Sequence, residues 1–444
     1  MPRSTRRSFL KKAAAATIAA PLFVPNLMSQ PPSRRVRHAS FGADGMAGSD
    51  IGSLVGHPNL TFVAIAEVDT ARQANARKRF GERVNFYQDW RQLLDKEAKN
   101  LDSVNVSTPD HMHAPIAMSA MQLGLHAYVQ KPLAHDVYEC RRLAEVARER
   151  KLITQMGIQV HSQVEYRLAV RLVQDGAVGR IREVHTWSNK EWGDERPRPD
   201  RNDPVPATLD WNGWVGAGPD QPFIGGGYYH PSNWRRRLDF GTGTFGDMGC
   251  HIYDPVFAAL ALTAPISVRS EGPAPGRHNW ANHAIIHYVF PGTRHTAGDT
   301  VRVTWYDGRQ RPSREVQALI APHKLPDQGS ILQGTKGVML IPHVSRPLLL
   351  PEREFQGFRM PDVQGANHYH QFVNAILGDG RTSTGFDYSA ALTEAVLLGG
   401  VATHFPKTTL EWDAAKLTFR NTPDANRLIR RTYRKGWEVR GLSG

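Results

Sequence analysis

A chain of 444 residues with 40% hydrophobic and 9% aromatic residues has material for two or three domains, each with its own core. Its formal charge is +13, but residues 1–35 hold seven basic residues and no acid, so the rest carries only +6, scattered along the chain, which argues against a nucleic-acid-binding surface. Two cysteines, Cys140 and Cys250, are too few for a disulfide framework and read as free, buried thiols.

In chain order, Ser4-Thr5-Arg6-Arg7-Ser8-Phe9-Leu10-Lys11 is a twin-arginine pattern followed by a short alanine-rich apolar run, 13–24. The run is too short for a stable membrane span and its positive flank lies on the amino side, so residues 1–35 read as an export signal and linker and the mature protein as periplasmic. From Val36 a strand (36–41), a glycine-rich turn (Gly42-Ala43-Asp44-Gly45-Met46-Ala47-Gly48), a helix (49–55), a second strand (61–66) and the acid Glu67 follow in the order of a dinucleotide-binding βαβ unit. In the G-x-G-x-x-G register that starts at Gly42, the second glycine is Asp44 and the third Ala47. An aspartate there opposes a pyrophosphate unless it turns away to cap the helix. Glu67 favours NAD by repelling a 2′-phosphate, while Arg72 leaves NADP open.

The alternation continues with a strand at 102–107, the loop Thr108-Pro109-Asp110-His111-Met112-His113, a helix at 114–123, a strand at 127–129, a helix at 137–151 and a strand at 152–157. A doubly wound parallel sheet over 36–157 accommodates these elements. Lys131, before Pro132, falls at the carboxyl end of its strand, the edge where such sheets bind ligands. His111 and His113 lack a third ligand nearby and read as a solvent-facing or capping pair, with no metal.

Residues 158–444 change texture. Strands at 181–187, 284–290, 301–306 and 337–341 surround a long aromatic loop, 192–240, of the kind that holds polyhydroxylated ligands or covers a small core of its own. Within it Tyr229, His230, Asn233, Trp234 and Arg235 are the candidate substrate residues. A helix starting near Gly246 puts Asp247 and His251 four apart on one face, and helices follow at 367–377 and 389–402. A carboxylate, an imidazole and Lys131 in one site make an acid–base set.

The glycine-rich βαβ unit, Thr108-Pro109 with His113, Val129-Gln130-Lys131-Pro132 and Asp247-x-x-x-His251, in this order, resemble the Gfo/Idh/MocA family of sugar and inositol oxidoreductases. The resemblance runs from Val36 onward and implies a Rossmann domain followed by an α+β domain with a large mixed, mainly antiparallel sheet. It implies NAD on Gly42, Asp44, Gly45, Met46, Ala47, Glu67, Thr108, Pro109, His113, Gln130 and Gln159. It also implies catalysis by Lys131, His251 and Asp247 on a secondary hydroxyl of a sugar or glycoside, and a homo-oligomer formed through the second sheet. Gln130 replaces the family's usual glutamate and removes one ionic partner from Lys131. Because free nicotinamide is scarce outside the cytoplasm, an exported enzyme retains and recycles its cofactor. The alternatives are a redox-neutral glycosidase (oxidation, elimination, re-reduction) and an inactive sugar-binding relative, for which Asp44 and Gln130 argue.

Overall fold

The computed structural model describes residues 35–443; the export signal read from the first residues lies outside them. Six strands form a wholly parallel sheet: β1 (Val36–Phe41), β2 (Leu60–Ala66), β3 (Asn85–Tyr87), β4 (Ser103–Val106), β5 (His126–Val129) and β6 (Thr154–Met156). Their order, β3-β2-β1-β4-β5-β6, is the doubly wound dinucleotide-binding arrangement, with the topological switch at β1 and β4. The polar first strand is accommodated by specific partners. Arg37 pairs with Asp102 at 3.1 Å, and buried His38 is held by Ser103 Oγ (2.8 Å) and Asn105 Oδ1 (3.0 Å). Burial pushes the His38 imidazole down to about 4, so it enters the sheet neutral.

The second sheet has nine strands: β7 (Ile181–Ser188), β8 (Ser267–Glu271), β9 (Ile285–Pro291), β10 (Thr300–Asp307), β11 (Gln328–Gly334), β12 (Val338–Pro342), β13 (Leu348–Leu350), β14 (Thr409–Asp413) and β15 (Thr418–Phe419). Their order is β13-β12-β11-β7-β10-β9-β8-β14-β15, and only the central β7–β10 pair is parallel. The Gly243–Ile252 and Phe386–Thr403 helices pack into one core with the inner face of this sheet, where Phe245 stacks on Trp305 with ring centroids 4.6 Å apart.

Residues after 158 do not all stay with the second sheet. The His368–Ile376 helix returns to the first, where Val373 is buried with Val36, Ile51 and Phe62. Near the carboxyl terminus, Arg431 pairs with buried Glu139 (2.6 Å) and Asp136 (3.7 Å) on the first domain. Both cysteines are free and buried. Among the described residues no helix is long and apolar enough to cross a membrane, and no cluster of three or more His, Cys, Asp or Glu forms a metal-ligand set.

Candidate functional site

At the carboxyl edge of the first sheet lies a cavity of about 330 Å³, within the range of small-molecule and cofactor sites. Its floor is the β1 turn. Gly42 adopts φ +102°, and a Cβ there would stand 2.8 Å from both Ala47 Cβ and the Ser107 carbonyl oxygen. Only glycine fits, and it brings the backbone to the cavity wall. The first helix, Met46–Leu54, begins directly after Gly45, earlier than its apolar pattern indicates. No side chain caps it, so the amides of its first turn are left for a ligand.

Asp44 does not cap that helix, contrary to the alternative read from the sequence. It pairs with Arg72 at 2.9 Å and is thereby neutralised. Glu67 is on the wall as expected; its carboxylate accepts the Ala43 amide (3.1 Å) and the Asp69 amide (3.2 Å), which fixes the turn against the end of β2. Burial raises the Glu67 carboxyl, and these amides together with Arg72 oppose the rise.

Lys131 projects from the end of β5 and donates to Asp247 Oδ1 at 2.7 Å and to the Asp247 carbonyl at 2.8 Å. Arg235 Nε approaches the same Oδ1 at 3.1 Å, its guanidinium stacked over Trp234 at 4.2 Å. Burial alone would raise the Asp247 carboxyl; Lys131 and Arg235 override it and hold it far below the usual carboxylate range. One turn along the Gly243–Ile252 helix, His251 is pushed well below the ordinary imidazole value by burial and then by Lys131, so its ring is neutral, with Nδ1 buried and unpartnered. Lys131 and Arg235 line the cavity, whereas Asp247 and His251 are not part of its wall.

Gln130 stands where a glutamate would conflict with a buried acid. Its amide donates to both carboxylate oxygens of Asp50, at 3.0 and 2.9 Å. Asp50 also accepts Ser107 Oγ (2.7 Å) and Tyr369 Oη (2.8 Å), and burial pushes its carboxyl up to about 6. A glutamate at 130 would set two carboxylates against one another; the acid stands at 50 and the amide at 130. Gln159 belongs to this cluster, donating to Tyr369 Oη at 3.0 Å, and does not line the cavity. Ala47 is buried behind Gly42.

His111 and His113 are fully buried, which corrects their reading as a solvent-facing or capping pair. His113 lies 2.8 Å from the Thr108 carbonyl and 2.7 Å from that of Pro132, bridging the β4 loop to the Lys131 loop, and His111 Nε2 meets the Trp214 carbonyl at 3.0 Å. His111 Nδ1 is left buried without a partner among the described residues, and the Pro132 and Trp214 carbonyls lie far along the chain, a pairing that local spacing does not reveal.

The aromatic loop straps the outer end of the cavity. Thr70 N donates to the Thr208 carbonyl (2.8 Å), Asp210 N to the Val68 carbonyl (2.9 Å), and His230 Nε2 pairs with Asp69 at 3.1 Å. Of the candidate substrate residues, His230, Trp234 and Arg235 line the same cavity as Gly42 and Glu67. Tyr229 is buried in a small core with Trp214, Phe223 and Phe240, and Asn233 is turned to the Gly227 carbonyl. Arg72, read from the sequence as leaving NADP open, lies on the wall as well, together with Trp90, Gly213 and Trp214, which in the sequence resemble core.

On the wall, Trp90 Nε1 and Thr108 Oγ1 are buried polar atoms without a protein partner among the described residues. Unsatisfied groups of this kind, a glycine cradle that a Cβ would fill and free helix-start amides fit a dinucleotide. The fold and this site define a dinucleotide-binding Rossmann unit joined to a second unit built on a mixed sheet.

Similarity to known proteins narrows the class. Residues 36–158 match the model of the Gfo/Idh/MocA oxidoreductase family's NAD-binding Rossmann fold, and residues 180–293 that of its C-terminal alpha/beta domain. The chain belongs to this family, and its cofactor is NAD. It is 25% identical over 191 residues to levoglucosan dehydrogenase of Pseudarthrobacter phenanthrenivorans, covering 43% of this chain and 40% of that protein. It is 34% identical over 92 residues to glycosyl hydrolase family 109 protein 1 of Shewanella sp. strain ANA-3, covering 21% of this chain and 20% of the relative. The chain spans about half or less of the length of the curated relatives it matches. In fold it is similar to the WlbA dehydrogenase of Bordetella pertussis, solved with NADH and UDP-GlcNAcA, with TM-score 0.61, 16% identity, and coverage of 86% of this chain and 98% of that one.

Proposed function

We propose that the protein oxidises a secondary hydroxyl of a sugar or glycoside, passes the hydride to NAD and keeps the nucleotide bound through its cycle. The observation that carries this reading is Lys131 on the wall of the dinucleotide cavity with Asp247 2.7 Å behind it. When bound, NAD supplies the hydride acceptor. Lys131 stabilises the substrate oxygen as its proton departs, and Asp247 keeps the ammonium aimed. Neutral His251, one turn on, is the proton acceptor. The two residues that argue for an inactive relative leave the cavity fit for an anionic nucleotide: Asp44 is neutralised by Arg72, and Gln130 is the partner of Asp50. The test is a single turnover with bound NAD: wild type develops reduced-nicotinamide absorbance with a glycoside, and Lys131→Met does not.

A second reading is the redox-neutral glycosidase, in which the hydride returns after the bond next to the new ketone is eliminated. The stretch matching a family 109 glycosyl hydrolase and the strap over the cavity favour it. Release of free aglycone with no net NADH supports this second reading, and accumulation of a keto sugar supports the first. We also read the twin-arginine segment as directing the protein to the periplasm; cell fractionation of wild type and an Arg6→Lys/Arg7→Lys variant tests this.

A further inference from the structure

The Gly243–Ile252 helix passes through Tyr253, itself in the helical region, into the Asp254–Leu260 helix. Asp247, His251 and Asp254 therefore stand at i, i+4 and i+7 on one stripe. The first holds Lys131 and the second is the neutral imidazole. The third holds another histidine. His161 Nδ1 lies 3.0 and 2.9 Å from the two carboxylate oxygens of Asp254, which is 1% exposed and also accepts the Tyr388 hydroxyl at 2.6 Å. A carboxylate on Nδ1 fixes the tautomer and turns Nε2 outward as the working atom. Among the described residues Nε2 of His161 has no protein partner, and the side chain keeps 18% exposure.

The placement is that of a functional group. His161 lies on the turn Gln159–Ser162 that follows β6, the same carboxyl edge that presents Thr108 after β4 and Lys131 after β5. Beyond His251 lies a further polar pair: the Tyr166 hydroxyl and His343 Nδ1 are 2.6 Å apart, and the His343 ring is 6.3 Å from that of His251. Seven residues of helix separate Asp247 from Asp254 by about 10 Å, so His161 stands that much farther along the same helix than Lys131 and outside the lining of the dinucleotide cavity.

We propose that His161, aimed by Asp254 and Tyr388, is a second imidazole of the sugar site that hydrogen-bonds a substrate oxygen away from the reacting hydroxyl, such as a glycosidic oxygen or one on a second sugar unit. This deepens the sugar-oxidoreductase reading and rests on it. The electrostatics agree: burial opposes a charged His161, yet Asp254 overrides it and raises the imidazole, with Arg167 the opposing cation, whereas His251 is driven down. Tyr388 and Asp254 face His161 from the helices packed on it, and Ser162 and His368 (2.8 Å apart) flank it. Two imidazoles displaced in opposite directions divide proton acceptor from proton donor.

The test uses NAD-loaded, ¹⁵N-histidine-labelled full-length protein titrated with methyl β-D-glucopyranoside, methyl α-D-galactopyranoside and cellobiose. His161 Nε2, identified by the resonance lost in His161→Gln, is expected to titrate above the ordinary imidazole value and to move with any sugar that reduces the bound NAD. Asp254→Asn is expected to lower that titration, and His161→Gln to raise KM for cellobiose at least tenfold while NAD content stays unchanged. A sugar that reduces NAD without moving His161, or an unchanged KM and pH profile in His161→Gln, overturns the assignment while leaving the oxidoreductase reading intact. If no sugar reduces NAD or moves any histidine, the sugar reading itself fails and the assignment with it.

Discussion

Replacing Gln130 with glutamate puts a second carboxylate about 3 Å from Asp50, in a pocket where Gln130 is 4% exposed and Asp50 fully buried. At that separation two charges repel by roughly 5 kcal/mol at an effective dielectric of about 20, so the folded variant takes up a proton rather than hold both. The sign follows from linkage. A carboxyl raised in the folded state is stabilising below its unfolded value, and that stability is lost as pH rises. Wild-type Asp50, at about 6, has finished losing its share above that pH. The variant pair, pushed higher, goes on losing stability relative to wild type at up to about 1.4 kcal/mol per pH unit, or up to about 3 kcal/mol between pH 6 and pH 8. Urea unfolding of both proteins at the two pH values measures this, and Gln130→Glu/Asp50→Asn should restore the wild-type pH dependence. A Gln130→Glu deficit that is the same at pH 6 and pH 8 would refute the coupling of the group at 130 to the buried acid at 50.

Other substitutions test other parts of the site. Gly42→Ala puts a methyl 2.8 Å from Ala47 Cβ and the Ser107 carbonyl at φ +102°, and should lower NAD affinity at least tenfold by calorimetry; unchanged affinity would mean that the turn is not the nucleotide floor. Glu67→Gln removes the carboxylate that takes two backbone amides beside Asp69, and should weaken NAD while narrowing the preference over NADP, read from the two dissociation constants. Asp247→Asn removes the anion shared by Lys131 and Arg235 and should cut single-turnover hydride transfer by about 10² to 10⁴ with NAD content intact.

Much of this arrangement is legible in the residues themselves. Strong apolar runs such as Ala127-Tyr128-Val129 and the helices at 137–151 and 389–402 declare their elements, and the Lys131 and Asp247-x-x-x-His251 motifs mark two side chains, Lys131 and Asp247, that the fold joins at 2.7 Å. What is not legible depends on contacts across long stretches of chain. Asp50 and Gln130 are 80 residues apart, Asp69 and His230 161, and neither pair carries a local periodicity. Short or polar strands such as Asn85–Tyr87 and Gln328–Gly334 are set by the neighbours they pair with. The aromatic loop contains both of the things its composition allows: a small core around Trp214 and Tyr229, and a wall of the cavity through His230, Trp234 and Arg235. A histidine in a turn, His161, has no signal until the fold sets Asp254 beside it.

The central claim is that Lys131 handles a sugar hydroxyl beside bound NAD. Its most direct test is to quantify nucleotide released from denatured wild type and Lys131→Met, then follow nicotinamide reduction after adding a glycoside to each native protein. Equal NAD content, with reduction in wild type alone, is expected. Equal reduction in the Lys131→Met variant, or a wild-type protein that neither contains nor binds NAD, would contradict it.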